Sequence, residues 1–114
     1  MDLDVGNSRK GYRNKLEIIR DILFVVKVSG GNGSKKTHIM YGANLSYKLL
    51  TRYVEGVLEA GLISYDGESY YKLTEKGKMF LECYDEYETK RRDLEKRINH
   101  INNGREILEK MLTP

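Results

Sequence analysis

The sequence predicts a mainly α-helical domain carrying one small β-hairpin, followed by a long C-terminal helix. Three observations predict it. Between Lys35 and Leu73 the chain reads as a short helix, a tight turn, a second helix and two short strands. Apolar residues at helical spacing precede that stretch, so a supporting helix comes first. From Phe80 to Leu112 apolar and aromatic residues recur at steps of four and three, the seam of a helix that pairs with another helix.

Residues 1–11 carry Gly6, Asn7, Ser8 and Gly11 and no apolar period, and read as a flexible basic arm. The start has acids and no apolar block, so it does not read as a secretory signal. Arg9, Lys10, Arg13 and Lys15 cluster before the first helix, either as solvated charge or as contacts to phosphate. Asn14 is a plausible N-cap with Glu17 three residues on, and Leu16, Ile19, Ile22, Leu23 and Val26 follow on one stripe, giving a helix over 14–28. The loop from Ser29 to Ser34 holds three glycines and ends that helix. It lacks the preceding strand and the Gly-Lys-Ser/Thr of a nucleotide-binding loop.

The second helix is expected over 35–41, with Ile39 and Met40 inward, Gly42 at a positive-φ C-cap and Ala43-Asn44 as the turn. The third runs from Ser46 to Ala60. Ser46 is the preferred N-cap and Asn44 the alternative. Leu50, Tyr53, Val54, Val57 and Leu58, helped by Leu49, form its apolar stripe. Ser46, Tyr47, Lys48, Thr51, Arg52 and Glu55 fall on the other face. Residues 62–65 and 69–73 are strands, and Asp66-Gly67 suits a tight hairpin turn. This order is that of a winged helix-turn-helix. The hairpin tip carries Asp66 and Glu68, which repel phosphate, so the tip is not expected to insert deeply into DNA. Tyr70 and Lys72 remain candidates for backbone contact.

Thr74 caps the last helix, expected over 75–112, ~57 Å at 1.5 Å per residue. Its seam comprises Phe80, Tyr84, Tyr87, Arg91, Leu94, Ile98, Ile101, Arg105, Leu108 and Leu112. Asn102-Asn103-Gly104 is a stop signal, but the seam stays in phase across it. The choice lies between a fold-back there and a continuous or kinked helix, and continuity is favoured. In an antiparallel pair of identical helices Leu94 meets Ile98, Ile101 meets Arg91, Tyr87 meets Arg105, Tyr84 meets Leu108 and Phe80 meets Leu112. The organisation expected is an arm (1–11), a winged-helix DNA-binding domain (12–74) and a helix (75–114) forming an antiparallel coiled-coil dimer.

Composition narrows the function classes. The 114 residues are 32% charged, with a net charge of +3. Residues 1–77 carry twelve Lys/Arg against nine Asp/Glu, whereas 78–114 carry eight of each, so the excess lies on the winged part. No apolar run reaches the ~18–20 residues of a membrane helix. Cys83 is the only cysteine, which excludes an intrachain disulfide and a multi-cysteine zinc site. His38 and His100 are far apart in the chain. No paired carboxylates and no Ser–His–Asp set stand out, so no enzyme, metal, cofactor or small-molecule ligand is expected, and no membrane.

The runs THIMYGANLSY (Thr37–Tyr47), LTRYVEGVLEAGLI (Leu50–Ile63) and YKLTEKGKMFL (Tyr71–Leu81) closely resemble a family of small archaeal DNA-binding proteins. The resemblance covers about residues 14–101, and IMYGANLSY is its most specific part. It implies winged-helix dimers joined by an antiparallel coiled coil of the C-terminal helix. It also implies largely sequence-tolerant binding of double-stranded DNA, a chromatin-organising role and a cytoplasmic, nucleoid-associated location. On matching positions the DNA face is Ser46, Tyr47, Lys48, Thr51 and Arg52; Lys35, Lys36 and Lys72 are added as nearby cations. The competing functions are a sequence-specific transcriptional regulator on the same scaffold and a winged-helix protein–protein adaptor.

Overall fold

A computed structural model describes residues 13–114, and the expected arm at 1–11 lies outside the described residues. Helix α1 (Lys15–Val28) is followed by a 3₁₀ turn (Gly30–Asn32), strand β1 (Ser34–Lys35), helices α2 (Lys36–Gly42) and α3 (Tyr47–Glu59), strands β2 (Ile63–Tyr65) and β3 (Tyr70–Leu73) and helix α4 (Glu75–Lys110). The described residues divide into two compact units, 13–84 and 85–114.

In the first unit α1 begins with the capping box that its sequence encodes. Asn14 accepts from the Glu17 N–H and Glu17 accepts from the Asn14 N–H, both at 2.9 Å. Its buried side is Ile18, Ile22, Leu23, Val25 and Val26. Leu16, expected inward, is exposed, because the stripe that meets the core is set by Ile18, Ile22 and Val25. These residues pack with Ile39 of α2, Leu50, Val54 and Val57 of α3, and Ile63 and Tyr71 of the sheet. Each fully buried aliphatic side chain there contributes roughly 1.5–3 kcal/mol.

The expected hairpin is present, and a third strand joins it. The order is β1-β3-β2, antiparallel throughout, with Ser34 opposite Tyr71 and Lys35 opposite Tyr70. A two-residue strand carries no periodicity, so sequence placed Lys35 in the second helix; it is instead that helix's N-cap. The fully buried Ser34 satisfies its hydroxyl on Ser29, whose own proton goes to the Val25 carbonyl at 2.9 Å. Ser34 is therefore the donor of that pair.

Two turns differ from expectation. Gly42 is not the positive-φ cap. It ends α2 in helical geometry, and the left-handed residue is Asn44 (φ 55°). Gly42 is needed for a different reason: a Cβ there would sit 2.8 Å from Val25 Cγ2. The hairpin is closed by three residues, Gly67 to Ser69, rather than two, since the Asp66 N–H donates to the Tyr70 carbonyl at 3.0 Å. Asp66 Oδ1 accepts from the N–H groups of Glu68, Ser69 and Tyr70 at 2.8, 2.9 and 3.1 Å.

Helix α4 starts on the winged unit. Thr74 Oγ1 accepts from the Gly77 N–H and donates to the Gly61 carbonyl, while Lys76 Nζ donates to the Ala60 carbonyl at the end of α3. A Cβ on Gly77 would lie 2.2 Å from the Leu62 carbonyl oxygen, so the backbones meet here. The helix is unbroken through Asn102-Asn103-Gly104 and ends at Lys110, two residues short of the expected Leu112. No described helix is long and apolar enough to cross a membrane.

Candidate nucleic-acid interface

Helix α3 has a strongly two-sided sequence. Leu50, Val54 and Val57 are buried, and Ser46, Tyr47, Lys48, Arg52, Glu55 and Glu59 are exposed. Charge divides along its length, with Lys48 and Arg52 in the first half and Glu55 and Glu59 in the second. The basic half coincides with the helix N-terminus, where free backbone N–H groups already favour an anion.

The five residues expected on this face are brought to one end of α3, but their hydroxyls are not equivalent. Ser46 is the N-cap: its Oγ accepts from the Leu49 N–H at 3.2 Å, which leaves its own proton to donate. Thr51 Oγ1 donates its proton to the Tyr47 carbonyl at 3.0 Å. It can accept from a base amino group, but it cannot donate to a phosphate without breaking that bond. Lys48 and Arg52 have no ion-pair partner among the described residues.

Neighbouring elements hold the two flanks of α3. Lys36 Nζ lies 5.2 Å from the centre of the Tyr47 ring, so Tyr47 faces α2. Arg52 faces the other way and lines a groove with Lys15 and Ile19 of α1. The sheet adds a second set of cations. Residues directly across antiparallel strands share a face, so Lys35, Tyr70, Lys72 and Ser64 lie together, opposite the buried Tyr71. Lys35 Nζ is 5.7 Å from the Tyr70 ring centre. Lys35 and Lys36 are adjacent in the chain, so cations run from the outer sheet face to the start of α3.

At the hairpin tip, the N–H groups that Asp66 accepts, that of Glu68 foremost, hold its carboxyl below the usual carboxylate range; Lys72 adds to this. This carboxylate organises the loop. Glu68 is the tip's other acid, and the hairpin is further tied by the Tyr65 hydroxyl donating to the Glu68 carbonyl at 2.7 Å.

Sequence missed one residue that positions this interface. Arg13, grouped above with possible phosphate contacts, is occupied internally. It donates to Asp21 Oδ2 at 2.7 Å, the Ala43 carbonyl at 2.6 Å and the Asn44 carbonyl at 2.7 Å. It thus clamps α1 to the turn before α3. Its only sequence signal was an arginine one residue ahead of a helix cap.

In the second unit the seam from Tyr87 to Leu108 is laid out on one continuous helix, and Leu112 follows its last residue. Tyr87, Leu94, Ile101, Leu108 and Leu112 are exposed, Leu112 by 84%, while Ile98 is half-buried. Arg91 grips Glu88 with two hydrogen bonds at 3.1 and 2.6 Å and holds that carboxyl below its usual range. Arg105 lies 3.5 Å from Glu109. Phe80 and Tyr84 belong to the first unit, their rings 6.3 Å apart and stacked, with Phe80 packed against the core. Among the described residues no group of three or more His, Cys, Asp or Glu could hold a metal ion.

Three helices on a three-stranded sheet, with α2, a tight turn and α3 as the helix-turn-helix and β2–β3 as the wing, define a winged helix-turn-helix domain. The comparisons with known proteins agree. The winged helix-turn-helix family model matches residues 12–92, and the chain belongs to that family. Two relatives are uncharacterized proteins of Methanocaldococcus jannaschii. MJ0287 is 32% identical over 85 residues, 73% of this chain and 82% of that protein. MJ0290 is 39% identical over 85 residues, 75% of this chain but 38% of that longer protein. Among solved structures, Sso10a-2, a DNA-binding protein from Sulfolobus solfataricus, has the same fold. It superposes with a TM-score of 0.62 at 23% identity, over 90% of this chain and 99% of that one.

Proposed function

We propose that this protein is a homodimer that binds double-stranded DNA through the N-terminal half of α3, largely without regard to sequence, and helps to organise chromatin. The observation that carries the reading is the exposed Lys48 and Arg52, without an ion-pair partner among the described residues, at the N-terminal half of a winged-helix α3, with Lys36 against Tyr47 and with Lys35 and Lys72 on the outer face of the sheet. Phosphate contacts of this kind position a protein on a duplex and carry no sequence information by themselves. The likeness to an archaeal DNA-binding protein supports the same reading. It is a binding protein of the cytoplasmic nucleoid, with no enzymatic role and no cofactor.

The dimer half of the proposal rests on the α4 stripe. Four large seam residues of the second unit, Tyr87, Leu94, Ile101 and Leu108, are exposed on an unbroken helix. A second copy, antiparallel, covers them with Leu94 against Ile98 and Ile101 against Arg91. The test is direct. Random-sequence duplex should bind with affinity that falls steeply with salt, at a ratio to any selected sequence near one. A ratio around 10³ or more would indicate a sequence-specific regulator. A chain carrying Leu94→Cys with Ile98→Cys, and Ser at position 83, should oxidise to a covalent dimer; a monomer that resists crosslinking removes the antiparallel pair.

A further inference from the structure

We propose that the groove between α1 and α3 binds a small amphipathic carboxylate, an anionic head on an aliphatic or aromatic body, and that its occupancy competes with DNA. The second half of this proposal rests on the function proposed above. The groove has a volume of about 450 Å³, within the ~300–1,000 Å³ of small-molecule sites. Its floor and walls are apolar, from Ile19, Tyr53, Val57 and Leu62, with the small Gly56 and Ala60 opening it. Lys15 from α1 and Arg52 from α3 are its two charged lining residues, both exposed and without an ion-pair partner among the described residues.

Gly56 supplies an independent observation. It sits inside α3, where glycine costs roughly 1 kcal/mol relative to alanine. At Gly42 and Gly77 such a cost has an internal reason, because a Cβ would strike Val25 or the Leu62 carbonyl. At Gly56 a Cβ would meet nothing within 4 Å, and the residue is not among the positive-φ glycines. Neither packing nor backbone geometry in this chain accounts for it. The open space over Gly56, in the groove itself, leaves room for a ligand lying on the helix.

The occupant's chemistry follows from the lining. A planar guanidinium pairs with a carboxylate through two parallel hydrogen bonds, and an ammonium across the groove adds a point charge. A bare phosphate would satisfy both cations but leave the half-buried Ile19 and Tyr53 wet. An apolar body covers them. Because Arg52 also serves the DNA face, a carboxylate that engages it withdraws a cation from the duplex.

The experiment uses the full chain, isotope-labelled, titrated with octanoate and benzoate against octanamide and benzamide. The acids should give saturable shifts at the amides of Gly56, Ala60 and Leu62, with Kd of about 0.1–1 mM, and the amides should bind at least about tenfold more weakly. Gly56→Leu should fill the groove and abolish the shifts, while its duplex affinity without acid stays within about threefold of wild type. Lys15→Gln, which leaves the helix intact, should weaken the acids and not the amides. Saturating octanoate should lower duplex affinity of the wild type by about tenfold and leave Gly56→Leu unaffected. No saturable shift with either acid, or equal shifts with acid and amide, overturns the site. Shifts without any loss of duplex affinity overturn the competition. If the protein binds no duplex at all, the DNA reading fails and the shifts still decide the groove.

Discussion

The Lys36 ammonium stands 5.2 Å from the centre of the Tyr47 ring. One residue opens α2 and the other opens α3, so the contact ties the first helix of the motif to the N-terminus of the second. The Tyr47 side chain is otherwise open to solvent, at 65% exposure. A double-mutant cycle of Lys36→Ala and Tyr47→Ala should show a coupling of about 0.5–1 kcal/mol in stability. Tyr47→Ala should also weaken duplex binding by about tenfold in fluorescence anisotropy.

Arg13 spans three acceptors on two elements, with one guanidinium nitrogen on Asp21 and the Ala43 carbonyl and a second on the Asn44 carbonyl. Its side chain is 27% exposed, so the bonds are partly screened. Arg13→Ala should cost about 1–3 kcal/mol in urea denaturation. Arg13→Lys should recover little of this, because one ammonium cannot reproduce the fork.

The glycines of the helices should separate by sign. Gly77→Ala forces a Cβ against the Leu62 carbonyl at 2.2 Å and should destabilise by about 2 kcal/mol or more. Gly42→Ala meets Val25 at 2.8 Å and should cost about 1 kcal/mol. Gly56→Ala meets nothing and should stabilise by up to about 1 kcal/mol. Thermal unfolding of the three variants checks the order.

The wing should loosen in acid. Asp66 has a depressed carboxyl pKa, so its stabilisation of the loop is fully present above the ordinary value of 3.8 and is lost as pH falls through the lower folded value. The amide resonances of Glu68, Ser69 and Tyr70 should therefore stay constant from neutral pH down to about 4 and move together below it. In Asp66→Asn, which keeps an accepting oxygen but cannot titrate, they should not move.

Much of this fold was legible because the signals were local and redundant. The Asn14–Glu17 capping box, the Ser46 cap and the Leu50–Val54–Val57 stripe each name their element from a few residues. The α3 face from Ser46 to Arg52 was legible for the same reason. What sequence did not disclose depends on contacts between elements distant in the chain. β1 exists only because Ser34 and Lys35 meet Tyr71 and Tyr70. Gly42 read as a turn residue, although Val25, seventeen positions earlier, is what requires it. Arg13 read as surface charge because two of its three acceptors, the Ala43 and Asn44 carbonyls, lie about thirty residues away.

The basic half of α3 is the surface proposed above to meet DNA. That role is tested most directly by duplex affinity at low salt for Lys48→Glu combined with Arg52→Glu. Both side chains are exposed, so the fold should survive, which circular dichroism can check. Affinity should fall by about 10² or more, with a shallower dependence on salt. Unchanged affinity in the folded double variant would contradict that role and move the DNA contact to another surface.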